Sequence, residues 1–260
     1  AVRDLVEEDP TLALSVDPHN GQLLVRGVGE LQLEVLSERI RQDYRLHCRV
    51  SKPRVAYLET LDSAAAGSSE FSKEIEGGHQ TAKIGLLLHP GTRGDGLHVE
   101  WGKWIQSVPK DFLRAVEEGL RLGLKGAGSE GFDVVDIEVK VQEITYESGN
   151  STELAFRRAA RDATHRALKE NKTIRLEPQM RVEIVTPDDY MGPVVGDLNA
   201  RRGKITQVLA KAKHQVIAAL VPLSTMFGYA TGLRSLTQGR ASFTMQFHRY
   251  ERPSSEEFSA

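Results

Sequence analysis

From Ile174 to Glu251 the chain changes its apolar period in a fixed order. "IRLEPQMRVEIVTP" alternates as a strand and "GPVVGDLNARRG" follows with a helical pattern. "KITQVLAKAKHQVIAALVP" then supplies two strands, 224–237 a second helix and 241–250 a last strand. That βαββαβ order is the split βαβ arrangement, in which two helices pack on one face of a four-stranded sheet. In the last strand Phe243, Met245 and Phe247 fall on one side, and Ser242, Thr244, Gln246 and His248 on the other, so one buried face is expected. The segment before it, "GYATGLRSLTQGR", stands where a core helix belongs but is rich in glycine and small residues, which calls for an explanation.

Segment 1–60 reads strand, strand, helix, strand. "LALSVDP" and "QLLVRGV" flank the turn signal "DPHNG", and Leu31, Leu33, Val35, Leu36 and Ile40 carry a helical stripe up to "RLHCRV". This fits the same ferredoxin-like order with its first strand and most of its first helix missing. "AVRDLVEEDP" reads as the last turns of a helix, so the sequence is expected to continue upstream. Between the two modules, "DSAAAGSSE" at 62–70 is small and polar and reads as a loop or domain edge. Strands are expected near 71–76, 82–89 and 97–101. A helix is expected from Pro109, at its first position, to about Lys125, with Ser107 as N-cap. A long strand, "VVDIEVKVQEITYE", precedes a helix for which Asn150 reads as the cap, with Glu153 three residues on as in a capping box. The fold class expected is α+β: two ferredoxin-like (split βαβ) modules, 1–60 (partial) and 175–252, flanking a mixed α/β domain at 61–174, with a tail at 253–260.

Composition narrows the function classes. The longest apolar run, "VIAALVPL" at 216–223, falls far short of the roughly 20 residues a membrane helix needs, so no membrane partner is expected. Cys48 is the only cysteine among 260 residues, which excludes an intrachain disulfide and points to a reducing compartment. A formal net charge of -2 gives no global attraction to nucleic acid, so any RNA contact must be local.

"GAGSEG" at 126–131 has the GxGxxG spacing of a dinucleotide loop, but it closes a helix and precedes a strand, the reverse of the context that chemistry needs; it reads as a helix C-cap and turn. In "GVGELQ", Gln32 takes the third glycine's place, and Gly27 and Gly29 read as a tight strand-to-helix turn. "GDLNARRGKIT" has six residues between Gly196 and Gly203 where a phosphate loop has four, and Ile205 replaces the Mg²⁺-binding hydroxyl. No HExxH, no Cys/His quartet and no nucleophile elbow occurs, so no catalytic residue, metal site or cofactor is expected in this segment. Asp188 and Asp189 read as carboxylates at a helix start, where the dipole favours them. "GRASFTMQF" faintly resembles an RNA-recognition signature with its first two residues inverted; alternating core residues explain it better.

Several longer runs resemble one family, elongation factor G. "EEDPTL", "GQLLVRGVGELQLEVLSERIRQDY" and "KPRVAYLET" are similar to its third domain. "SVPKDFLRAVEEGLRLG", "GFDVVDIEVKV" and "NSTELAFRRAARDA" are similar to its fourth. "LEPQMRVEIVTPDDYMGPVVGDLNARRGKI" and "VPLSTMFGYATGLRSLTQGRASFTMQFHRYE" are similar to its fifth. The resemblance covers nearly the whole chain. It implies a ribosome-binding, cytoplasmic translation factor, an organellar origin staying open. Its fourth domain would move transfer RNA and messenger RNA in the decoding region, and GTP and Mg²⁺ would belong to a G domain upstream.

The resemblance also implies site residues. Two tip loops of the fourth domain correspond to Glu76–Thr81 and Thr145–Asn150, placing His79, Gln80, Thr81, Glu147, Ser148, Gly149 and Asn150 at the ribosome. Arg157, Arg158, Arg161, Arg234 and Arg240 would face ribosomal RNA, or else lie solvated. The loops depart from the usual translocase pattern: "GGHQT" stands for a glycine-rich "GGxGQ", and Glu147 takes the place of a histidine. Gln32 likewise replaces a histidine of the third domain. A carboxylate near RNA phosphates is repulsive where an imidazole is not. Three readings therefore stay open: a translocating paralogue; a ribosome-recycling or ribosome-protection relative, with ribosome-recycling factor as a further partner; and a binding module outside translation that keeps the fold.

Overall fold

A computed structural model describes residues 1–16, 22–27, 30–51, 54–75, 78–103, 108–145, 147, 149–211 and 213–253. The chain divides into two compact units, Ala1–Arg54 and Val55–Ala260.

The first unit holds α1 (Val2–Glu8), β1 (Ala13–Val16), β2 (Leu23–Arg26) and α2 (Glu30–Asp43). β1 and β2 pair antiparallel, from Ala13 opposite Arg26 to Val16 opposite Leu23. Their connection, the "DPHNG" turn, lies outside the described residues, as do Val28 and Gly29. Leu5, Leu12, Leu36 and Ile40 form a small core. The fourth element expected here, a strand at the end of segment 1–60, does not form in this unit. Leu46 and Val50 of "RLHCRV" are 47% and 68% exposed, because no strand edge of 1–54 receives them among the described residues.

In the second unit, β3 (Leu58–Leu61) leads into β4 (Ala65–Ile75), β5 (Gly78–Pro90), β6 (Leu97–Trp101), α3 (Lys110–Leu124), β7 (Ile137–Thr145) and α4 (Glu153–Lys169). β4–β5–β7–β6 is a four-stranded sheet in that order, with β6 parallel to β7. The alternation of β7 is plain: Ile137, Val139 and Val141 are buried while Glu138, Lys140 and Gln142 are exposed. The helices cover the apolar face, and Phe156, Ala159, Ala160 and Ala163 of α4 join Val116 and Leu120 of α3 in one core. Burial of each large apolar side chain there contributes about 1.5–3 kcal/mol.

The loop expected at 62–70 is strand from Ala65 onward, and its small residues have another cause. A Cβ on Gly67 would stand 2.2 Å from the carbonyl oxygen of Ala163 and 2.8 Å from the Ala167 Cβ. Here α4 lies directly on the strand's backbone, so glycine marks close packing, not a turn. Pro109 sits at the N-cap of α3, one position before that expected. Ser107 lies outside the described residues.

The chain ends with β8 (Thr173–Pro187), a short 3-10 turn (Asp188–Tyr190), α5 (Met191–Ala200), β9 (Lys204–Lys211), β10 (His214–Pro222), a second 3-10 turn (Leu223–Thr225), α6 (Tyr229–Leu236) and β11 (Ser242–Glu251). The sheet order β11–β8–β10–β9 is the ferredoxin-like order, and β3 extends it by pairing with the first residues of β8. Val194 and Leu198 of α5 and Tyr229 and Leu233 of α6 pack on Val182, Ile184, Ile217 and Ala219. The helix expected over 224–237 is shorter, because Gly228 with φ +70° interrupts the chain between the 3-10 turn and α6. The alternation in β11 holds for Phe243 and Met245. It fails at Phe247, which is 57% exposed: the register slips between Phe247 and Arg249. Such a bulge re-aims side chains, and Phe247 lies instead beside Tyr250, with ring centroids 5.4 Å apart.

Candidate functional site

One end of the four-stranded sheet is built by two loops. β4 and β5 pair to the last residues of their hairpin, Ile75 opposite Gly78 and Glu74 opposite His79. The hairpin residues Glu76 and Gly77 lie outside the described residues, as do Tyr146 and Ser148 of the second loop. His79 is exposed, its Nε2 3.1 Å from the Ser72 hydroxyl. β5 also pairs with β7, whose last residue, Thr145, is opposite Lys83. The second loop therefore leaves the sheet beside the first.

Hydrogen bonds join the two loops. The Thr81 N–H donates to the Asn150 carbonyl at 2.9 Å. The Ser151 hydroxyl donates to the Thr81 carbonyl at 2.7 Å and accepts the Glu147 N–H at 2.9 Å. The Thr152 hydroxyl donates to the Gln80 Oε1 at 2.8 Å while accepting the Ala155 N–H at 3.2 Å. Asn150 and Ser151 donate their backbone N–H groups to the Glu147 carbonyl, at 3.1 and 2.9 Å. Gly149, with φ +89°, allows that tight return.

The helix cap differs from expectation. Thr152, in extended conformation (φ -132°, ψ 158°), caps α4. Asn150 turns its amide to the Glu147 carboxylate at 3.3 Å. The carboxylate expected to distinguish this chain is thus held by its own loop and exposed. Of the expected tip residues, His79, Gln80, Thr81, Glu147, Gly149 and Asn150 come together. Ser72, Ser151 and Thr152 join them unforeseen; a Ser-Thr pair directly before a helical stripe is the signal that points to the last two.

The expected basic residues divide between two cores. Arg157, Arg158 and Arg161 lie on α4, behind the tip. Arg157 pairs with Glu118 at 2.8 Å, Arg158 lies 5.9 Å from the Phe71 ring centroid, and Arg161 pairs with Asp162 at 2.8 Å. The Arg161–Asp162 pair is exposed, and such a pair is worth about 0–1 kcal/mol, so exchanging that carboxylate for a phosphate costs little. Arg234 and Arg240 flank the end of α6, in the C-terminal module, with Arg240 5.8 Å from the Tyr190 ring centroid.

The glycine-rich motifs are closed from within. In "GDLNARRG", Arg201 pairs with Asp197 at 2.9 Å, and Arg202 donates to the Ser224 hydroxyl at 3.0 Å. A Cβ on Gly203 would meet the Leu198 carbonyl oxygen at 2.7 Å. The turn packs against its own helix. In "GAGSEG", the N–H groups of Glu130 and Phe132 are taken by the Glu59 carboxylate, at 3.0 and 3.1 Å. In the first unit the Gln32 amide donates to Asp9 and Thr11, at 2.7 and 2.6 Å. The Thr11 hydroxyl above all, then the Thr11 N–H and the Gln32 amide, hold the Asp9 carboxyl below its usual range. Among the described residues no three His, Cys, Asp or Glu side chains are grouped to hold a metal ion, and no helix is long and apolar enough to cross a membrane.

Three sequence profiles match nearly all of the chain: "Elongation Factor G, domain III" over 1–52, "Elongation factor G, domain IV" over 53–172 and "Elongation factor G C-terminus" over 174–259. The chain belongs to the elongation factor G family. The tip lies wholly in the domain IV match, and the ferredoxin-like order in the C-terminal one. The chain is 38% identical over 251 residues to "Elongation factor G 2" of Syntrophus aciditrophicus (strain SB), covering 96% of this chain and 37% of that protein. A crystal structure from Thermus thermophilus superposes with a TM-score of 0.80 at 33% identity, again over 96% of this chain and 37% of the other. The chain thus spans about a third of the length of these relatives, and its matches are to domains III, IV and the C-terminus of the family.

Proposed function

We propose that this chain is the ribosome-engaging part of an elongation factor G-like cytoplasmic translation factor, with the two-loop tip as its contact to RNA at the decoding region and the α4 arginines as steering charges. The observation that carries the reading is the joining of the loops: Thr81, Gln80, Asn150, Ser151 and Thr152 hold one another before any partner arrives. A contact whose loops are already ordered avoids the entropy of ordering them on binding. Family likeness supports a separate G domain that would hold GTP and Mg²⁺ and whose hydrolysis would drive the movement of tRNA and mRNA.

Glu147 favours a second reading. A fixed, exposed carboxylate at the tip opposes close approach to phosphates, as expected of a factor that acts on another ribosomal state, with ribosome-recycling factor as partner. One experiment separates the readings: single-turnover translocation and subunit splitting, measured side by side on a full-length factor carrying this chain. Gln80→Ala with Thr152→Val cuts a bridge between the loops. The change is expected to slow whichever reaction the wild type performs, without abolishing ribosome binding. A factor that binds no ribosomes would leave only a binding module outside translation.

A further inference from the structure

Glu59 is fully buried, and no step proposed for the tip uses it. It lies on β3, which pairs antiparallel with the start of β8, from Leu58 opposite Leu176 to Leu61 opposite Thr173. On its other side Glu59 bridges Val134 in parallel: its N–H donates to the Asp133 carbonyl at 2.9 Å, and its carbonyl accepts the Val135 N–H at 2.8 Å. β3 is therefore the middle strand of a joint between the tip-bearing sheet and the C-terminal module.

The side chain of Glu59 enters the Gly126–Gly131 loop. Its Oε1 accepts the N–H groups of Glu130 and Phe132, and its Oε2 accepts the Thr173 hydroxyl. Loops with converging N–H groups are anion receptors, and this one is filled by the protein's own carboxylate. Loop and carboxylate fit only together, because a Cβ on Gly128 would stand 2.1 Å from Oε1. The same loop grips the C-terminal module at Thr173, which accepts the Ser129 N–H at 2.8 Å, and at Arg175, whose Nε donates to Glu130 at 2.9 Å. Strand pairing alone needs no carboxylate at this position. A buried carboxylate is costly unless donors compensate it, so its presence follows from the loop's need for an acceptor.

We infer that Glu59 is a positioning residue: seated in the Gly126–Gly131 loop, its carboxylate fixes the direction in which the tip-bearing sheet leaves the C-terminal module. The inference concerns the protein alone and does not rest on the tip being a ribosome contact.

Pulsed dipolar distance measurement on the full chain tests it. In a Cys48→Ser background, spin labels at Lys73→Cys and Gln207→Cys report across the joint, and labels at Lys73→Cys and Lys110→Cys report within the tip module. Glu59→Gln, which keeps an oxygen for the Glu130 and Phe132 N–H groups, is expected to retain a single narrow distance across the joint. Glu59→Ala and Gly128→Ala are expected to lose it while the distance within the tip module stays unchanged. A narrow distance across the joint in Glu59→Ala or Gly128→Ala overturns the inference. So does spreading of both distances together, which is general loosening, or a Gln variant as broad as the Ala one. If Glu59→Ala does not fold, Gly128→Ala and Glu59→Gln decide by the same criteria.

Discussion

The Arg201 guanidinium lies over the Tyr229 ring, 4.9 Å from its centroid, and a Cβ on Gly232 would stand 3.3 Å from the Arg201 Nη2. Arg201 also pairs with Asp197 and donates to the Thr225 carbonyl at 2.5 Å. The small residues of "GYATGL" thus have a local cause: α6 leaves room for an arginine that ties α5 to the turn before α6. Stacking on an aromatic face is worth about 0.5–2 kcal/mol, and the planar fork serves its several partners at once.

Arg201→Lys is therefore expected to lower stability by about 1–3 kcal/mol, because a point charge cannot hold Asp197, Thr225 and the ring together. Gly232→Ala should gain nothing in the wild type, since the helix-propensity gain of about 1 kcal/mol is offset by displacing a pinned guanidinium. In an Arg201→Ala background the same change should stabilise. Urea titration of the double-mutant cycle checks this, and additive effects would contradict it.

Tyr229 carries a pH prediction. Burial, and secondarily the Asp197 charge, pushes its phenol above its ordinary value of 10, while Arg201 pulls it down by less. A phenol with a folded pKa above its unfolded value contributes its full stability below the unfolded value. That contribution fades as pH rises from about 10 toward the folded value. The C-terminal module should accordingly weaken above pH 10, and Tyr229→Phe should flatten that decline. The hydroxyl is buried with no hydrogen-bond partner among the described residues, so at pH 7 the Phe variant should be as stable as the wild type or about 1 kcal/mol more so. Chemical denaturation at pH 7 and between pH 10 and 11 provides the check; parallel declines for the two proteins would refute the assignment.

The competing caps of α4 give a sharper contrast. Thr152→Ala removes an acceptor for the Ala155 N–H and the bond to Gln80, and should cost about 1–2 kcal/mol. Asn150→Ala loses only an exposed amide contact to Glu147, for which about 0.5 kcal/mol or less is expected. Hydrogen exchange at Ala155 and Phe156 should quicken in the first variant and not in the second. The reverse order would return the cap to Asn150.

Where order and periodicity suffice, the fold is legible from residues alone. The βαββαβ succession of 174–251 and the alternation of Ile137, Val139 and Val141 need no partner to be recognised. What escapes is set by contacts distant in sequence. Gly67 and its neighbours read as a loop because the reason for glycine is the Ala163 carbonyl, almost a hundred residues later. Leu58 to Thr60 read as the end of the first module, yet their strand pairs with β8. Phe247 reads as core until a slip of one residue in register turns it outward. At the tip Asn150 reads as the helix cap, whereas Thr152 accepts the Ala155 N–H and donates to Gln80, a partner from the other loop.

Glu147 gives a direct test of the function proposed for the tip. Its carboxylate is held by Asn150 and exposed, so it faces any target that approaches the loop. A unit charge 4 Å from a phosphate costs about 1 kcal/mol in bulk water and up to about 4 kcal/mol near a protein surface. Exchanging it for a largely neutral imidazole should speed a step limited by that approach by about fivefold or more. In a full-length factor, Glu147→His is expected to raise single-turnover translocation and to leave ribosome binding largely intact, because the α4 arginines and the bonds between the loops are untouched. Asn150→Ala serves as the control: it frees the carboxylate without removing the charge, and should not reproduce the gain. If Glu147→His changes neither translocation nor subunit splitting, the second loop does not set the tip's specificity, and the search moves to His79 and Gln80 on the first.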